Sequence, residues 1–143
     1  MNKLVSSLRE AIRLTGLKDG MTVSFHHHLR NGDKVLNLVM AEIASLGIKD
    51  LTVNDSDLLD VHEPLVEHIR NGVVTGMETS YMSRAVGDAV CAGILPKPVL
   101  FHSHGERADA ILKGRSHIDV AFIAASASDD MGNCTGRTGK SAF

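Results

Sequence analysis

Short apolar runs alternate with segments of helical periodicity along nearly the whole chain, and this alternation restricts the fold more than any other feature. The runs are MTVSF (21–25), DLTVND (50–55), VVTGME (73–78), PVLFHS (98–103) and HIDVAFIAAS (117–126). Ahead of the first, Leu4, Leu8, Ala11, Ile12 and Leu14 recur at the spacing of one helix face, and TGLKDG ends that helix. Leu36, Val39, Met40, Ile43 and Leu46 mark the next helix, with Asp33 placed to cap its start and Gly47 to close it. Leu58–Arg70 is expected as a further crossover helix, in which Pro64 forces either a late start or a kink. Ser83–Ala92 and Glu106–Lys113 complete the set, the last closed by Gly114. Strands that alternate with helices build βαβ units. The expected fold is therefore a single α/β domain over residues 1–143, with an open, mostly parallel sheet and crossover helices.

The composition agrees. Tryptophan is absent and aromatics make up 3% of the chain, so the core must be aliphatic, as the strands of covered parallel sheets are. A formal net charge of −2 gives no electrostatic reason to expect a nucleic acid or a membrane surface as partner. No apolar run approaches the roughly 20 residues of a membrane span. Cys91 and Cys134 have no CxxC spacing, and the opening MNKLVSSLREAIRLTGLKDG is too polar for a signal peptide, so a reducing cytoplasm is the expected compartment.

Open α/β sheets bind ligands at the carboxyl ends of their strands. That rule selects SFHHHLRNGD after the first run, HSHGER after the fourth and ASASDDMGN after the fifth, and it sets His26–His28, His102 and His104 on one sheet edge. Three readings of these imidazoles are open. The i, i+2 pairs could share a metal ion, but no cysteine or acid stands at a diagnostic offset, and no metal is assigned. The rings could tie neighbouring loops together by hydrogen bonds, the expected role of His62, His68 and His117, which lie away from the three stretches. Or the loops could bind an anion or an acyl oxygen. RNGDKV and HSHGER each lead into a helix N-terminus, where free amides and the helix dipole favour a carboxylate or phosphate, and two such loops facing each other suit a polycarboxylate or a thioester oxygen. The candidates are Ser24, His26, His27, Gly32 and Asp33 in the first loop, and His102, Ser103, His104 and Gly105 in the second. Asp33 has the competing role of helix cap, Glu106 suits a helix start better than catalysis, and Gly132 and Asn133 are expected to shape a turn. No P-loop, GxGxxG or GxSxG occurs, and no residue is assigned as nucleophile.

The stretches LKDGMTVSFHHHLRNGDKVLNLVM, PLVEHIRNGVVTG, KPVLFHSHGERADAILKG and HIDVAFIAASASDDMGNCTGRTGKSA strongly resemble the citrate lyase alpha-chain family, from about Leu4 to Ala142. The DVAFIAA…D..GN element is similar to the wider type I CoA-transferases, whose open α/β fold also occurs in ribose-phosphate and glucosamine-phosphate isomerases. The resemblance implies a transferase. Citrate would displace acetate from the acetyl thioester of an acyl carrier (gamma) chain, and a beta chain would then cleave the citryl thioester. It implies no cofactor bound by this chain, because the thiol belongs to the carrier's phosphoribosyl-dephospho-CoA group, with acetyl-CoA as analogue. It further implies that the chain corresponds to the N-terminal half of a two-half subunit whose second half is absent. Such a half would be weakly active alone and prone to self-association through an uncovered apolar face. The alternatives are a non-catalytic CoA- or carboxylate-binding module of the same fold and a sugar-phosphate isomerase-like enzyme.

Overall fold

In a computed structural model of the chain, which describes residues 2–26 and 29–139, the alternation resolves into a five-stranded, wholly parallel sheet. Its strands are β1 (Thr22–His26), β2 (Leu51–Asp55), β4 (Val74–Thr79), β6 (Val99–Phe101) and β7 (Val120–Ile123), in the order β6-β4-β2-β1-β7. The helices are α1 (Leu8–Thr15), α2 (Val35–Ser45), α3 (Leu65–Arg70), α4 (Arg84–Cys91) and α5 (His104–Leu112).

The chain winds outward from β1 through β2 and β4 to β6, and then returns across the sheet to pair β7 with the other side of β1. Right-handed crossovers put helices of the outward run on one face and move the helix of the return run to the other. Accordingly α1 to α4 pack side by side, each against the next. Helix α5 instead reaches the opposite face, where Arg107 bonds to the side chains of Ser24 and Asn54. The point where the winding direction reverses, between β1 and β7, is the usual ligand-binding crevice of an open sheet.

The core lies on the α1–α4 side. Val23, Val53 and Met77 stand in register across β1, β2 and β4, all buried, and meet Ile12, Leu36, Val39, Met40 and Ile43 from α1 and α2. Gly47 closes α2 in the left-handed conformation at φ 79°, its N–H on the carbonyl of Ala44 while Ile48 donates to Ile43. That bonding pattern is why glycine stands there.

Two expectations change. Helix α1 starts at Leu8 rather than Leu4, because Ser7 caps it by accepting the N–H of Glu10. The expected helix Leu58–Arg70 is three pieces: a short strand β3 (Asp57–Leu58), a 3-10 turn Asp60–His62, and α3. Strand β3 pairs in parallel with β5 (Tyr81–Met82), and Pro64 stands at the start of α3, where its missing N–H costs nothing. After β7 the tail forms a small antiparallel hairpin of β8 (Ala127–Ser128) and β9 (Cys134–Thr135). The Asp129 carboxylate accepts the N–H groups of Met131 and Asn133 in its turn, and Gly132 has φ 85°.

Candidate functional site

Both histidine-bearing corners lie along the carboxyl edge of the sheet. His26 ends β1, and His102 follows β6. Two strands separate β1 from β6, so the corners are three strand spacings apart, roughly 14 Å. Residues 55–57, which leave β2 between them, connect the two. His26 Nδ1 lies 3.0 Å from Ser56 Oγ, and His104 Nε2 lies 3.6 Å from Asp57 Oδ2. The stretch is fixed from β4 as well, since the Ser56 carbonyl accepts the N–H of Ser80.

The second corner starts a helix earlier than expected. Ser103 is the cap of α5, accepting the Glu106 N–H at 3.2 Å, which makes His104 and Gly105 its first two residues. A side chain at Gly105 would meet nothing within 4 Å, nor would one at Gly32 in the 3-10 turn Arg30–Gly32, so both glycines leave open space. His102 sits closer to the sheet, with Nε2 3.6 Å from Glu78 Oε2.

Ser24 and Asp33 lie deeper than the loop positions expected for them. Ser24 is buried beneath α5 and accepts from Arg107 Nη2 at 2.9 Å. Asp33 is buried, with Oδ1 accepting the Val35 N–H at 2.9 Å and Oδ2 accepting the Leu29 N–H at 3.3 Å. It thus pins the turn after β1 to the start of α2 from one residue before the cap position, which Lys34 occupies without a capping side-chain bond of its own. Asp33→Ala should cost about 1–2 kcal/mol in urea unfolding, and Asp33→Asn much less, because the amide oxygen still accepts. His27 lies outside the described residues.

Two groups under the rim were not singled out by the sequence reading. The first surrounds Asp55, which packs with His26, Asp33, His62, Phe25 and Phe122 around a narrow gap that leaves no room for a water molecule. Asp55 stands in register with Phe25, whose ring stacks on Phe122 at 6.0 Å. Burial in this surround pushes the Asp55 carboxyl up to about 7, against the opposing charge of Arg107 and the N–H groups of Asp57 and Ser56. His62 was expected away from the loops, but it is fully buried here, its Nδ1 accepting the Leu59 N–H. The helical spacing of Leu58, Val61 and Leu65 hid this position.

The second group is a polar row on the α5 face, where Ser24, Asn54 and Glu78 stand side by side on β1, β2 and β4. Asn54 Oδ1 accepts from Arg107 Nε at 3.0 Å and Nη2 at 2.7 Å, and Asn54 Nδ2 donates to Glu78 and to Ser116. Ser116 Oγ donates to Glu78 Oε2 at 2.5 Å. Burial lowers the Arg107 pKa from its usual value, opposed by the charges of Asp55 and Glu78. A signal for this row was present: in Val-Ser-Phe, Val-Asn-Asp and Met-Glu-Thr a polar residue directly follows an apolar one within the strand.

Among the described residues no cluster of three or more His, Cys, Asp or Glu suits a metal ion, and no helix is long and apolar enough to cross a membrane. What the rim offers is imidazole, hydroxyl and helix-start N–H groups around residues 55–57, a set suited to carboxylate and carbonyl oxygens.

A parallel α/β sheet whose winding reverses beside β1, with imidazole and hydroxyl groups along its carboxyl edge, has the open-sheet architecture in which ligands are usually bound at the carboxyl ends of the strands. A family model described as citrate lyase, alpha subunit (CitF), matches residues 1–143. The chain belongs to this citrate lyase alpha-subunit family. It is 48% identical over 139 residues to the citrate lyase alpha chain of Klebsiella pneumoniae, covering 97% of this chain and 27% of that one. It is 50% identical over 138 residues to the Escherichia coli alpha chain, again 27% of that protein. A Streptococcus mutans structure described as the alpha subunit of citrate lyase in complex with citrate superposes with a TM-score of 0.91 at 53% identity, over 94% of this chain and 26% of that one. The chain therefore spans about a quarter of the length of these relatives.

Proposed function

We propose that this chain is the part of a citrate lyase alpha subunit that holds substrate oxygens during acyl exchange. In that reaction a citrate carboxylate oxygen attacks the acetyl thioester carbonyl, breaking its carbon–sulfur bond to give a mixed anhydride and the carrier thiolate. The thiolate then attacks the citryl carbonyl, forming the citryl carbon–sulfur bond and releasing acetate. The acyl carrier is a gamma chain bearing phosphoribosyl-dephospho-CoA, for which acetyl-CoA substitutes, and a beta chain receives the citryl product within a cytoplasmic complex. The observation that carries the reading is the meeting of two corners over one stretch, His26 on Ser56 and His104 on Asp57. The identity to alpha chains and the likeness to a structure in complex with citrate support it. Imidazole and hydroxyl donors and a helix start suit an anion and the oxyanion that develops as the thioester is attacked.

Calorimetric titration tests this. Citrate and acetyl-CoA should both bind, and His26→Ala or His104→Ala should weaken citrate. Citrate exchange by this chain alone should be slow, since about three quarters of the relatives' length lies outside it. Binding of acetyl-CoA without citrate would favour the non-catalytic module, and binding of a sugar phosphate instead of either would favour an isomerase-like site.

A further inference from the structure

We infer that Arg107 is a positioning residue that sets the spacing between the two corners of the rim, a role that rests on the acyl-exchange reading. Its backbone belongs to the first turn of α5, three residues after His104, and its N–H bonds to the Ser103 carbonyl. Its guanidinium crosses to the sheet and holds two strands at once, donating to Ser24 Oγ on β1 at 2.9 Å and twice to Asn54 Oδ1 on β2. Ser24 is two residues before His26, and Asn54 is two residues before Ser56. One rigid fork thus fixes the start of α5, with His104, against the strand ends that carry His26 and its partner Ser56. The planar guanidinium with fixed donor directions suits this task, whereas a single ammonium cannot reproduce the fork. The β1–β6 separation shows why such a tie is needed. The sheet itself holds the corners three spacings apart, and only α5, returning across the opposite face, brings His104 over residues 55–57.

The test compares Arg107→Met and Arg107→Lys with the unaltered chain by amide hydrogen exchange and by citrate titration, with thermal unfolding as control. Arg107→Met should speed exchange about tenfold or more at residues 24–26 and 103–107, leaving the α1 and α3 amides unchanged. Arg107→Lys, which keeps the charge, should hold the thermal midpoint near that of the unaltered chain yet weaken citrate about tenfold. Unchanged exchange at both corners in Arg107→Met overturns the inference, as does exchange rising equally everywhere. Full citrate affinity in Arg107→Lys also overturns it. Should the unaltered chain not bind citrate, the acyl-exchange reading fails, and the exchange pattern alone still decides whether Arg107 ties the corners together.

Discussion

Asp55→Asn should stabilise the protein above pH 7 and flatten its pH dependence. An aspartate in the unfolded chain titrates near 3.9, whereas burial holds the folded Asp55 carboxyl near about 7. Between those values the folded state carries a proton that the unfolded state has released. The contribution of this group to stability is therefore fully present below pH ~4, declines as pH rises through the window, and stays low beyond about 7. About three pH units at 1.36 kcal/mol each amount to roughly 4 kcal/mol between pH 4 and pH 8. The asparagine oxygen can still accept from the Asp57 and Ser56 N–H groups that bond to the carboxyl, and it never ionises. Urea midpoints across pH 4 to 9 check this. A flat profile in the unaltered chain, or Asp55→Asn less stable at every pH, would contradict it.

A buried aspartate beside a stacked phenylalanine pair stabilises nothing at neutral pH by charge alone. Its position gives it another consequence. Asp55 leads directly into Ser56 and Asp57, the stretch on which both histidine corners rest. The charge of Arg107 opposes the upward shift of Asp55, so the residue that ties α5 to the sheet also biases the protonation of the group beneath the rim. Arg107→Met should accordingly move the window of declining stability to higher pH.

Much of this arrangement was legible in the sequence. Short apolar runs identified all five sheet strands: β1, β2 and β4 are apolar because they are covered, whereas β6 and most of β7 stand exposed. The carboxyl edge, on which both histidine corners lie, followed from strand direction. The stretch from Asp57 to Pro64 was not legible: Leu58, Val61 and Leu65 recur at helical spacing, but β3 exists through pairing with β5, a contact that no local pattern encodes. The candidate residues divide similarly. His26, His102 and His104 lie on the expected edge, but the connection between His26 and His104 runs through Ser56 and Asp57, ordinary turn residues to a sequence reader. Arg107 was hidden for another reason. A basic residue in the first turn of a helix usually faces solvent, and only the reversal of winding after β6 turns it onto the sheet.

Asn54→Ala should cost about 3–5 kcal/mol, more than truncating any exposed polar residue of the chain. Asn54 is fully buried, and its amide satisfies four polar contacts: two donors of Arg107, the Glu78 carboxylate and the Ser116 hydroxyl. Alanine removes them all at once. It leaves the guanidinium without an acceptor on β2 and Glu78 with fewer donors, in a space that α5 largely screens from water. Asn54→Leu should do little better, because filling the volume does not satisfy the groups left behind. Asn54→Asp separates charge from hydrogen bonding: it still accepts from Arg107, but it sets a second carboxylate where Nδ2 lies 3.0 Å from Glu78 Oε2. Two carboxylates that close cannot both ionise cheaply, so Asn54→Asp should be tolerated near pH 5 and lose stability as pH rises to 8. Urea midpoints at the two pH values read both effects. A loss below about 1 kcal/mol for Asn54→Ala would mean that water replaces the amide at no cost, and the polar row would then be an exposed surface feature rather than the anchor of α5.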